Sequence, residues 1–132
     1  MIRYVLDTNV LVDVLRNKSK RVRERIAEMG IDNCVVSDLT VFELYTGIAA
    51  CADPSKNKEI MERMFQNLAI ISASDAYWIA AQEKDRLAKS GTPIEDFDLI
   101  IGCTALAYGL TLVTGNAKHM SRIDGLRIEN WI

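Results

Sequence analysis

Asp7, Glu43 and Asp98 are three carboxylates spread along the chain, and Asn116 adds an amide at a fourth position. Oxygen donors of this kind suit a hard divalent cation such as Mg²⁺ or Mn²⁺. Each has an ordinary local explanation. In "YVLDTNVLVDVL" Asp7 is turn chemistry beside a helix capped by Thr8 or Asn9, Glu43 is a good helix former, and Asp98 is an acid near a helix start. Convergence is what would make them a site. Carboxylates about 5 Å apart at an effective dielectric of about 20 repel by roughly 3 kcal/mol per pair, so a cluster needs a cation or shared protons. Such a cation acidifies bound water and stabilises developing negative charge. Removing the charge of Asp7 or Asp98 is accordingly expected to leave the fold intact or firmer. The only histidine, His119, would have to act as both acid and base in metal-free general acid–base chemistry and is read as a surface residue.

The surrounding elements give the convergence a geometry. Tyr4, Val5 and Leu6 read as a strand running into a helix through Val10, Leu11, Val14 and Leu15, and a second helix ends at Gly30. "NCVVS" reads as a buried strand, with Ser37 and Asp38 capping a helix from about 39 to 50. Pro54 opens the next helix, whose apolar stripe is Ile60, Met64, Phe65 and Leu68. "LAIIS" is a third strand, and a helix from Ser74 to Lys89 carries Ala76, Ile79, Ala80, Glu83 and Leu87. "DLIIGCTALAYG" is apolar almost all round and predicts a buried helix, followed by the strand "LTLVT", a helical turn near Lys118 to Arg122 and a last strand in "LRIEN". Alternating strands and helices predict one three-layer α/β/α domain over residues 1–132, with a mainly parallel sheet. Ligands in such sheets gather beyond the carboxyl ends of the strands, where Asp7 and Asn116 fall.

Composition supports a compact single domain: 49 % hydrophobic and 26 % charged residues argue against disorder. No apolar run approaches a membrane span, and the start of the chain has no basic segment leading into a long apolar stretch, so a cytoplasmic location is expected. Cys34, Cys51 and Cys103, odd in number and set in apolar stretches, read as small core residues rather than bridges or zinc ligands. The net charge is only −2, yet residues 16–25 hold six basic side chains and one acid. Lys18, Lys20, Arg21 and Arg23 in this block are candidates for nucleic-acid phosphate contacts, against the alternative of a solvated helix face. Trp78, Trp131, Tyr45 and Tyr77 are read as packing residues with no role in base stacking.

The segments "YVLDTNVLVDVL", "VVSDLTVFELYTG", "SGTPIEDFDLIIGCTALAYGLTLVTGN" and "IDGLRIENW", in this order, resemble the PIN-domain ribonucleases, specifically the VapC-type toxins of bacterial toxin–antitoxin pairs. The resemblance spans nearly the whole chain. It implies a small, often dimeric, Mg²⁺- or Mn²⁺-dependent endoribonuclease that cuts RNA, frequently tRNA, and is silenced by a cognate VapB-type antitoxin. Asp7, Glu43 and Asp98 match the family's acidic triad. Asn116 matches a fourth position that is acidic in many members, and Thr8 and Asn9 match residues that hold the turn after the first acid. Asp96 has no clear counterpart and either compensates for Asn116 or faces solvent. The antitoxin is expected to lie along the helices around residues 39–68, with Phe42, Tyr45 or Phe65 as anchors and a cation reaching the acids.

Two other classes are weighed. An Asp-nucleophile phosphotransferase or phosphatase also places Asp after its first strand, but wants a second Asp two positions on, where this chain has Asn9. A non-catalytic PIN-like binding module would have lost its acids, and all three are present.

Overall fold

The computed structural model describes residues 1–132. Its five strands are β1 (Tyr4–Leu6), β2 (Cys34–Ser37), β3 (Ala69–Ile71), β4 (Thr111–Val113) and β5 (Ile128–Glu129), all parallel, in the order β3-β2-β1-β4-β5. The helices are α1 (Thr8–Leu15), α2 (Lys20–Met29), α3 (Asp38–Ala49), α4 (Pro54–Met64), α5 (Tyr77–Lys89), α6 (Asp96–Ala107) and α7 (Ala117–Met120). Strand order runs outward from β1 in both directions, so the chain reverses its winding between β1 and β4. In parallel sheets this switch point opens a crevice at the carboxyl ends of the strands.

Alternation along the central strands builds a core on each face. Val5, Val35 and Leu112 point to one side, among Leu99, Ile101 and Ala105 of α6 and Ala80 and Leu87 of α5. Tyr4, Leu6, Cys34, Val36 and Val113 point to the other, among Val10 and Leu11 of α1, Val22 of α2, Leu44 of α3 and Met61 of α4. This is the expected three-layer arrangement. Trp131 closes the second core, buried and edge-on to Tyr4 with ring centroids 5.0 Å apart.

Several local expectations shift. The cap of α1 is Asp7 itself, whose carboxylate accepts the Thr8 N–H, rather than Thr8 or Asn9. Ser37 caps α3 through the Leu39 N–H, while Asp38 instead accepts the Ala73 N–H and ties the end of β3 to β2. In α4 the buried residue is Met61, and Ile60 is exposed; the helix ends at Met64, so Phe65 and Leu68 pack from the turn beyond it. Cys34 and Cys103 are buried as expected, but Cys51 is half-buried in the turn after α3. Trp78 and Tyr77 are exposed on α5 rather than packed within this chain. No helix is long and apolar enough to cross a membrane.

Candidate active site

Asp7 leaves the sheet at the switch point, where β1 ends beside β4. Its backbone N–H still bonds Val113 O, continuing the ladder, while its side chain turns to the strand ends. Oδ1 accepts the Thr8 N–H at 2.8 Å; Oδ2 accepts the Thr114 hydroxyl at 2.7 Å and the Asn9 side-chain amide at 3.3 Å. Thr114 is wholly buried and also accepts the Asn116 N–H, so one hydroxyl fixes both Asp7 and the turn after β4. Asn9 is used at both ends, since its Oδ1 accepts the Gly115 N–H at 3.0 Å. A Cβ at Gly115 would stand 2.6 Å from Ile132 Cδ1, the tip of an exposed side chain that would have to shift, and 3.4 Å from Asn9 Oδ1. Burial pushes the Asp7 carboxyl above its usual range, and these three donors pull against that shift.

Glu43, on α3, accepts the Thr8 hydroxyl at 2.6 Å, and the same hydroxyl lies 3.1 Å from that of Thr40. Burial raises its pKa, and the charge of Asp7 adds to the rise. Asp98 lies in the first turn of α6. Its carboxyl is pushed up to about 6, first by burial and then by the charges of Asp7, Glu95 and Glu43, with no hydrogen bond to offset them. Asp7, Glu43 and Asp98 line one open cavity of about 510 Å³ together with Thr8, Asn9, Asp13 and Lys18.

The structure thus brings the three candidate acids to one cavity. Asn116 lies around the other side of Asp98. It faces a neighbouring hollow of about 360 Å³ shared by Asp98, Glu95, His119 and Arg122, and its Oδ1 is 2.7 Å from His119 Nδ1. His119 is exposed, as expected, but on this hollow. Asp96 points away, exposed and paired with Lys84 at 2.9 Å, so it does not stand in for Asn116. Of the basic block only Lys18 reaches the acidic cavity; Lys20, Arg21 and Arg23 are exposed on or beside α2, and Arg21 approaches the Ile132 carbonyl. Arg25 is engaged with Glu28 and Glu129. Sequence reasoning missed Thr114, Thr40, Glu95 and Asp13. Asp13 carried a readable signal, as an acid inside the apolar run of α1, and Glu95 stands directly before a helix rich in acids at its start.

The donor set fits a hard cation, being carboxylate oxygens close enough that the charge of Asp7 raises the pKa of both Glu43 and Asp98, with Asp98 free of any hydrogen bond. As the side chains stand, no three of them close to the spacing that a single ion demands, so binding would require their rotation.

The PIN-domain model matches residues 4–126. The chain is 31 % identical over 132 residues to the tRNA(fMet)-specific endonuclease VapC of Salmonella typhimurium, covering 99 % of each. It is also 31 % identical over 133 residues to Ribonuclease VapC2 of Haemophilus influenzae, covering all of both. The crystal structure of DNA-bound VapBC from Salmonella typhimurium superposes with a TM-score of 0.93 at 31 % identity, over the whole of both chains. On the fold, the matched residues and these similarities, the chain belongs to the PIN-domain family, among the VapC ribonucleases.

Proposed function

We propose that the protein is a divalent-metal-dependent endoribonuclease toxin that hydrolyses RNA phosphodiester bonds, with tRNA as its substrate. The observation that carries this reading is the cavity at the switch point, onto which Asp7, Glu43 and Asp98 open from three separate elements. These three would hold Mg²⁺ or Mn²⁺, which when bound supplies an activated water and positive charge at the phosphate. The chain's own residues orient that centre. Thr114, Asn9 and the Thr8 N–H fix the Asp7 carboxylate, and the Thr8 hydroxyl links it to Glu43, so two acids are aligned before any ligand arrives. Asp98 carries a raised pKa and is the acid most readily neutralised by a cation. Lys18 lies on the same cavity and would hold a neighbouring phosphate. Asn9 speaks against an Asp-nucleophile phosphotransferase: its amide is consumed in bracing Asp7 and Gly115, where that chemistry needs a free acid.

A VapB-type antitoxin is the expected partner, by analogy with the VapBC structures from Salmonella typhimurium and Rickettsia felis. The surface that suits it is an apolar groove of about 180 Å³ between α1, α3 and α4, where Val12, Leu15, Leu44, Ile48 and Ile60 lead to Glu43. Phe42 and Tyr45 stand exposed nearby, whereas Phe65 packs against the core and is a poor anchor. A cationic side chain entering from this groove would pair with the acids and compete with metal. A homodimer is also proposed, with Tyr77 and Trp78 of α5 as exposed aromatic surface for it.

The test is cleavage of purified tRNA with Mg²⁺, with Mn²⁺ and in EDTA, by the protein and by Asp98→Asn. Cuts that need the metal and vanish in the variant support the reading. Cleavage that survives both EDTA and the substitution overturns it. Added Mn²⁺ should also weaken inhibition by the antitoxin.

A further inference from the structure

Asp13 is an acid that the proposed chemistry leaves unused. It sits in α1 one helical turn past Asn9, among Val10, Leu11, Val12 and Val14, and is only 6 % exposed. Its Oδ1 is buried with no hydrogen-bond partner. A buried carboxylate in that state costs stability, and aspartate is a poor residue for a helix interior, so neither packing nor helix propensity accounts for it. The neighbours that could satisfy it do not. Asn9, at the i−4 position, is spent on Asp7 and Gly115, and Lys18 offers Asp13 only its backbone N–H, to the Asp13 carbonyl. Yet Asp13 lines the same cavity of about 510 Å³ as the catalytic acids, beside Lys18 and Thr8.

We propose that Asp13 reads the RNA: its carboxylate accepts a hydrogen bond from an uncharged N–H or O–H donor of the nucleotide bound in the acidic cavity. This rests on the endoribonuclease reading above. The donor is uncharged and belongs to the nucleotide for two reasons. A phosphate carries the same sign as Asp13 and is repelled. Lys18, the one cation lining the cavity, stands ready for the phosphate, so a nucleotide spanning the two residues would present its sugar or base toward Asp13. Two donors carry this chemistry: the ribose 2′-hydroxyl, which distinguishes RNA from DNA, and the N–H groups of a base edge.

The test measures binding in EDTA, so that it does not depend on cleavage. Fluorescence anisotropy is read for the protein, Asp13→Ala and Asp13→Asn with labelled single-stranded RNAs of differing base sequence and with the all-2′-deoxy counterpart of one of them. Losing the charge shifts all affinities together, so the ratios between ligands report on Asp13 itself. Asp13→Ala should lose about tenfold of the RNA-over-DNA preference if the donor is the 2′-hydroxyl, or about tenfold of the preference among bases if it is a base edge. Asp13→Asn, which keeps an acceptor oxygen, should retain part of that preference and melt no lower than the parent protein. Both ratios unchanged in Asp13→Ala, or a lower melting temperature for Asp13→Asn, overturns the proposal. The cleavage assay separates the two claims. Ratios that depend on Asp13 without RNA cleavage would sink the nuclease reading alone, and metal-dependent cleavage with unmoved ratios would sink only this one.

Discussion

Asp7 and Asp98 line one cavity and are held in opposite ways. Asp7, at the end of β1, is almost wholly buried and accepts three hydrogen bonds from Thr8, Thr114 and Asn9. Asp98, on α6, is half-buried and accepts none, and burial first, then the charges around it, push its pKa up to about 6. The first acid is a fixed part of the fold, and the second waits for a partner from outside. A site made this way keeps one rigid wall and one electrostatically unsatisfied wall, so a cation gains most where the protein has offered least.

Substituting each acid in turn tests the contrast most strongly. Asp7→Asn and Asp98→Asn should both lower RNA cleavage by at least about 100-fold. Their stabilities should diverge. Asp98→Asn removes repulsion and should melt at or above the parent temperature. Asp7→Asn sets an amide against the donors Thr114 and Asn9 and should cost about 1–3 kcal/mol by denaturant titration, which revises the expectation that neutralising either acid leaves the fold intact or firmer. Equal melting temperatures would erase the distinction between the two walls.

Thr114→Val tests the rigid wall alone. It removes the hydroxyl that holds Asp7 Oδ2 and the Asn116 N–H, and should lower cleavage by about 10- to 100-fold while all three acids remain. A fully active variant would mean that Asp7 needs no bracing.

The loose wall is tested by pH in metal-free protein. Asp98 is raised from 3.8 to about 6, so between those values the folded state binds more protons than the unfolded chain. Its contribution to stability is therefore fully present below about 4 and is lost as pH rises through 6. Asp7 and Glu43 shift in the same direction, and Glu83, lowered by Arg86, in the opposite one. The informative quantity is thus the difference between the parent protein and Asp98→Asn, followed by chemical denaturation from pH 4 to 7. A difference that does not change with pH would show that Asp98 is not crowded by charge.

The smallest effect belongs to Asp96, in the same helical turn as Asp98 but exposed and paired with Lys84. Asp96→Asn should change cleavage by less than about twofold and stability by under about 1 kcal/mol. A loss equal to that of Asp98→Asn would mean that the wrong acid of the pair had been placed in the site.

The sequence by itself determined the layered fold and the sites of the three acids in it. Hydrophobic period, caps and turn residues act within a few positions of one another, so β1 ending at Asp7, the opening of α3 and the buried run of α6 were all legible. Tertiary structure decided how each acid is held. Thr114 meets Asp7 from 107 positions away because β4 lies next to β1 in the sheet. That strand order follows from packing the whole core and leaves no local mark. The same holds for Asn116, which turned to His119, for Lys18, which alone of its basic block reached the cavity, and for Asp13, whose neighbours were already committed elsewhere. Residue type and spacing fix which charges arrive at a strand end, but whether each finds a donor depends on long-range neighbours, and that balance decides which carboxylate stays free for a ligand.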